Sequence, residues 1–122
     1  VSNTIERLIQ TPSYFWATTY GNGVSRIDKE GKIQNFNQRI GLLSDITYYV
    51  YQENEKNAWI ASEGGISIFE NEKLFHNIAT PEKILAITQY KNTHYAVSEK
   101  SLYEIHHYTL KKIGNVYLIP PN

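Results

Sequence analysis

Cysteine is absent from this chain of 122 residues. That removes disulfides, thiolate nucleophiles and zinc–thiolate sites together, and it leaves the redox compartment open. Net charge is absent too. Twelve basic and twelve acidic residues cancel, with six of each sign up to Ala61 and six of each after it. Without a basic stripe to neutralise phosphates, neither a nucleic-acid partner nor an anionic membrane surface is expected. Apolar runs extend over only a few residues, so no membrane insertion is expected. The pattern of a signal peptide is missing. The chain begins at Val1 rather than at methionine, which points to a processed protein or an excised piece of a longer one. Missing targeting signals therefore say little about compartment.

Helical periodicity is also lacking: no stretch sustains apolar spacing of three and four over three turns with start and stop signals. Residues 4–10, TIERLIQ, could pass for a helical turn, but Pro12 follows closely. What is present instead is repetition. AWIASEGGISIF, from Ala58 to Phe69, has a counterpart in FWATTYGNGVSRI, from Phe15 to Ile27. A fainter copy is HYAVSEKSLYEI, from His94 to Ile105. Each reads as a strand, a tight turn and a second strand. Gly23 and Gly65 lie 42 residues apart, and Gly65 and Ser101 lie 36 apart. That period suits a four-stranded propeller blade better than a helical repeat. Ten tyrosines fall mostly in short blocks rich in aromatic and β-branched residues, which fit a pleated, half-buried surface.

The expected fold class is therefore all-β: three four-stranded antiparallel blades, plus the first strand of a fourth, in an incomplete ring. Blade 1 covers residues 1–45, with strands at 4–10, 15–19, 24–28 and 32–36. Blade 2 covers 46–83, with strands at 46–52, 58–62, 66–69 and 73–78. Blade 3 covers 84–115, with strands at 84–90, 94–98, 102–106 and 110–113. A fourth blade would start within 116–122, its strand at 116–119. Gly21-Asn22-Gly23 and Glu63-Gly64-Gly65 supply the positive φ that primed two-residue hairpin turns require. Ser98-Glu99-Lys100-Ser101 does not, which predicts a looser corner in the third repeat.

These residues resemble the two-component regulator propeller repeat, whose core reads iWigT-x-gGl-x-x-i. Trp59-Ile60-Ala61-Ser62 with Gly64-Gly65-Ile66-Ser67-Ile68-Phe69 matches it, as does Trp16-Ala17-Thr18-Thr19 with Gly23-Val24-Ser25-Arg26-Ile27-Asp28. The link Ile40-Gly41-Leu42-Leu43-Ser44-Asp45-Ile46 is similar to the family's lead-in to the next blade. The usual D-x-x-G before the tryptophan is replaced by Pro12-Ser13-Tyr14-Phe15 and Asn54-Glu55-Lys56-Asn57. The resemblance implies blades of a seven-bladed, non-catalytic propeller, often the periplasmic sensing part of a bacterial hybrid histidine kinase. It places the protein in the periplasm or at the cell surface.

Several motifs are set aside. Gly21-Asn22-Gly23 lacks the third glycine and the following helix of a dinucleotide fingerprint, and Gly31-Lys32 is followed by Ile33, not by the Ser or Thr of a Walker loop. His106 and His107 are adjacent, so on a regular strand they point to opposite faces; His76 and His94 are read as lone. No metal site or cofactor is expected. Asp28-Lys29-Glu30-Gly31 does not continue into a calcium-loop series. Nothing places Ser98 or Ser101 beside a histidine base, so no catalytic residue is assigned and enzyme activity is not expected.

Trp16, Trp59 and Tyr95 recur at one repeat position, with Gly23 and Gly65, and are read as inter-blade packing. The ligand candidates are turn and link residues gathered on one rim: Tyr20, Asn22, Arg39, Asp45, Glu63 and Glu99. Aromatic and polar groups so mixed suit a carbohydrate or peptide; the alternative for each is a solvated turn. A ring generally needs four or more blades, so the expected partners are the remaining blades of a longer chain. Exposed blade faces forgo about 2.5 kcal/mol per 100 Å² and predict self-association of the isolated fragment. The function expected from the resemblance is ligand sensing in a two-component receptor. The second reading is a structural or protein–protein interaction propeller of a cell-surface or secretion-associated protein, and the third a propeller lyase or hydrolase fragment.

Overall fold

A computed structural model describes residues 4–116. Twelve strands follow one another: β1 Ile5–Gln10, β2 Phe15–Thr19, β3 Val24–Ile27, β4 Ile33–Phe36, β5 Thr47–Gln52, β6 Asn57–Ser62, β7 Gly65–Glu70, β8 Lys73–Ala79, β9 Ala86–Tyr90, β10 Thr93–Val97, β11 Ser101–His106 and β12 Thr109–Asn115. They form three separate antiparallel sheets, β1–β4, β5–β8 and β9–β12, each a meander in chain order. Among the described residues there is no α-helix, only a turn of 3-10 helix at Gln38–Ile40, and hence no helix long and apolar enough to cross a membrane. Residues 4–10 are a strand, not a helical turn.

Strand alternation explains how the sheets stack. Trp16 pairs with Ile9 and Arg26, so these three share one face, and Val24 and Phe36 lie on it two residues away. That face meets Val50, Ala58, Ile60 and Phe69 of the second sheet in one core. The opposite face of the second sheet carries Trp59, Ala61, Ile66 and Ile68, and meets Ile87, Ala96, Tyr103 and Ile105 of the third. The middle sheet is thus covered on both faces. That is why β6 and β7 read as near-continuous apolar runs, NAWIAS and GISIF, rather than as alternating ones. The three sheets are successive propeller blades of an incomplete ring.

The end blades show the converse. On the outer face of blade 1, Leu8, Phe15 and Ile33 are 65%, 44% and 61% exposed. Tyr95 stands three residues before Ser98 as Trp59 stands before Ser62, but the face of its blade that carries it meets no described neighbour. It is half-buried on the outer face of blade 3 with Val97 and Leu102. A cavity of 550 Å³ opens on the bare face of blade 1.

Gly23 and Gly65 supply the positive φ expected of them, although not in a primed turn, and a close backbone approach gives a second reason for glycine. Positive φ falls at Gly65 itself (131°) and not at Gly64, so the Glu63-Gly64 loop is not a primed turn. A Cβ on Gly65 would stand 2.2 Å from the carbonyl oxygen of Ile78, and one on Gly23 (φ 76°) 2.0 Å from that of Phe36. The fourth strand passes too close for any side chain. Primed geometry occurs at the other end of blade 3, where Lys91-Asn92 and His107-Tyr108 take positive φ without glycine.

The corner expected to be looser in blade 3 is closed. Ser98 N–H donates to the Ser101 carbonyl at 2.9 Å, and Ser101 N–H to Ser98 Oγ at 3.0 Å. Both hydroxyls donate to the carboxylate of Glu82, with Tyr103 a third donor at 2.7 Å. A carboxylate from the inter-blade link thus ties this corner together by hydrogen bonds. Strand limits differ slightly from expectation: Ile46 makes an isolated bridge with Tyr20, and β9 begins at Ala86. Of the strand expected at 116–119, Val116 is outside any strand and residues 117–119 lie outside the described ones.

Candidate functional site

Two surfaces concentrate polar and aromatic groups. The first is the rim of the β2–β3, β6–β7 and β10–β11 turns, where the candidates divide into two groups. Asp45 is engaged in structure: its carbonyl accepts from Gly21 N–H (3.1 Å) and Gly23 N–H (2.7 Å), and its carboxylate from Gln38 N–H at 2.8 Å. It thereby braces the 3-10 turn on which exposed Arg39 sits. Asn22 is exposed, and its N–H donates to Thr19 Oγ1 at 3.0 Å.

Glu63 and Glu99 are brought together by two residues the sequence reading missed. Tyr48 donates its hydroxyl to Glu63, and Lys83 Nζ lies 3.5 Å from Glu99 and 5.6 Å from the centre of the Tyr48 ring. Burial and then the bond to Glu63 push the Tyr48 phenol well above its ordinary range, with the nearby Tyr20 and Glu6 adding to the shift. Tyr48 reaches the rim because β5 carries a register shift between Thr47 and Tyr49 that leaves it unpaired; a matching shift in β1 leaves out Glu6. Bulges re-aim side chains in this way, and a single sequence does not reveal them.

The second surface is a cleft between blades 2 and 3 at the opposite rim. His94 is not lone: its Nε2 lies 2.8 Å from Glu53, and its ring stacks on Trp59 at 4.4 Å and 19°. Tyr51 packs edge-on against both rings. Tyr108 stands 6.2 Å from Trp59 and 5.6 Å from Phe75, between ring centres. Repeat alignment could have found this pair, since His94 occupies the place of Ala58, on the face turned to the preceding blade's tryptophan. His106 bonds Glu104 at 2.9 Å, while His107 sits in the next turn. Among the described residues no three His, Cys, Asp or Glu converge as metal ligands.

The architecture defines a class, the β-propeller, and comparison with solved structures agrees. The fold matches the extracellular domain described as part of a hybrid two component system, BT3049, from B. thetaiotaomicron, with a TM-score of 0.73 and 19% sequence identity. The match covers 98% of this chain and 18% of that one. No family model and no curated protein matches the sequence. At this identity the likeness is one of fold.

Proposed function

We propose that this chain is part of a ligand-sensing propeller in the extracytoplasmic portion of a bacterial two-component receptor of the hybrid histidine kinase type. It binds rather than catalyses, and it works in the periplasm or at the cell surface. The observation that carries this reading is the fold likeness, over nearly the whole chain, to an extracellular domain of such a system. The bare outer faces of blades 1 and 3 support a further part of it, that other blades of a longer chain cover them. The ligand surface in this reading is the rim of Tyr20, Tyr48, Glu63, Lys83 and Glu99, with Asn22 and Arg39 beside it. Its phenols and paired charges suit a carbohydrate or a peptide by stacking and hydrogen bonding. The ligand acts by differential affinity for two receptor states.

The uninterrupted reading frame containing this segment is the test. A membrane-spanning segment followed by a kinase domain is the expected result. A secretion or anchoring domain in their place would overturn the sensor reading and favour an interaction propeller instead.

A further inference from the structure

The two inter-blade clefts are built on one plan and are filled by different groups: Arg26 enters the first, beside a cavity of 130 Å³, while in the second His94 stacks on Trp59 at 4.4 Å. Between blades 1 and 2 the occupant is Arg26. Its guanidinium lies 4.5 Å from the ring centre of Tyr14, 5.5 Å from Phe36 and 5.9 Å from Trp16, and it pairs with Glu72 of the next blade at 2.9 Å. An organic cation held by aromatic faces and one carboxylate is a favourable arrangement, because ring quadrupoles attract a cation that is weakly hydrated.

Between blades 2 and 3 the register places Ile68 opposite Trp59, as Arg26 stands opposite Trp16. Isoleucine cannot reach as far and carries no charge. A cavity of 140 Å³ lies beside it, lined by Trp59, Phe75, Tyr108, Glu53 and Glu70, and none of its lining residues carries the charge of the arginine that lines the 130 Å³ cavity of the first cleft. It shares Glu53, Trp59 and Tyr108 with a second lobe of 340 Å³. Neither lobe is lined by lysine or arginine. Glu53 is engaged with His94, whereas Glu70 is exposed and makes no ion pair among the described residues. The indole N–H of Trp16 donates to Gln52 at 2.9 Å; Trp59 makes no such bond among the described residues.

We infer that the cleft between blades 2 and 3 is a binding site for an organic cation, a guanidinium or alkylammonium group. That group takes the place which Arg26 fills one blade earlier, against Trp59, Phe75 and Tyr108, with Glu70 as counter-ion. The site lies wholly within two adjacent blades and does not depend on the sensor reading or on the rim it invokes.

Methylguanidinium, with methylurea as its neutral counterpart, tests this on the chain as it stands. The readout is the indole N–H resonance of Trp59, assigned with Trp59→Phe. A saturable shift at Trp59 but not at Trp16 is expected with methylguanidinium, and none with methylurea. Glu70→Gln and Phe75→Ala alter exposed residues, so the melting temperature should hold while affinity falls about tenfold, the equivalent of ~1.4 kcal/mol. Ile68→Arg should close the site to the probe. Equal shifts with methylurea, equal shifts at Trp16, no saturation, or unchanged affinity in Glu70→Gln would each overturn the assignment.

Discussion

Ser98 donates its hydroxyl hydrogen to Glu82, and with the Ser101 bond beside it this joins the link before the third blade to the corner within it. The Ser98 bond is also the main reason that the Glu82 carboxyl titrates below its ordinary range; the Tyr103 bond comes next, and partial burial works in the opposite direction. The contribution to stability is therefore present above the unfolded value, 4.5, and is lost as pH falls through the lower folded one. Thermal melts at a series of pH values should show the native chain losing stability faster than Glu82→Gln below that point. Parallel pH profiles for the two would refute the role given to this carboxylate.

Gly23 and Gly65 differ from Gly31, Gly41, Gly64 and Gly114 in that a backbone carbonyl oxygen comes within 2.2 Å of where a Cβ would stand. Alanine at either must take a positive φ and displace the backbone carbonyl of Phe36 or Ile78. Each substitution should cost about 2–4 kcal/mol. Gly31→Ala, whose new methyl would meet nothing within 4 Å, should show only the backbone strain, about 1 kcal/mol. Urea unfolding of the three variants separates the two contributions, and equal losses would mean that close approach is not what selects glycine.

Trp16 is fully buried, and its indole N–H depends on a single acceptor, Gln52 Oε1, supplied by the next blade. Gln52→Ala strands that donor. The expected loss is about 1–3 kcal/mol, the cost of an unmet buried polar group. Tyr51→Phe removes only an exposed bond to Gln89 and should change stability by less than about 0.5 kcal/mol. A neutral Gln52→Ala in denaturant titration would show that water replaces the amide.

Blade count, strand order and the packing role of the tryptophans were legible because repetition exposes them: Trp16 and Trp59 hold one position in two copies of one unit. What escaped notice depends on departures from that repetition. Glu82 stands on a link with no counterpart pattern, and its partners are 16 to 21 residues away. Tyr48 owes its direction to a bulge. The turns Lys91-Asn92 and His107-Tyr108 adopt left-handed backbone with non-glycine residues, because the pairings Tyr90 with Thr93 and His106 with Thr109 leave only two residues to reverse the chain. Composition alone cannot signal such a turn.

The two bare faces lead to the last expectation. Leu8, Phe15 and Ile33 on blade 1, and Tyr95, Val97 and Leu102 on blade 3, occupy the two faces that blade-on-blade stacking would otherwise cover. One face is of the kind that would meet a preceding blade, the other of the kind that would meet a following one. The two are unlike surfaces, so association between copies is head-to-tail and need not close. Light scattering on this chain should give a mass that rises with concentration across tens of micromolar. Phe15→Lys, which charges one face without entering either core, should hold the chain monomeric by weakening that contact alone. Lys29→Glu, a change at an exposed residue in the neighbouring turn, should leave association intact. A constant monomeric mass for the native chain would mean that these faces tolerate water.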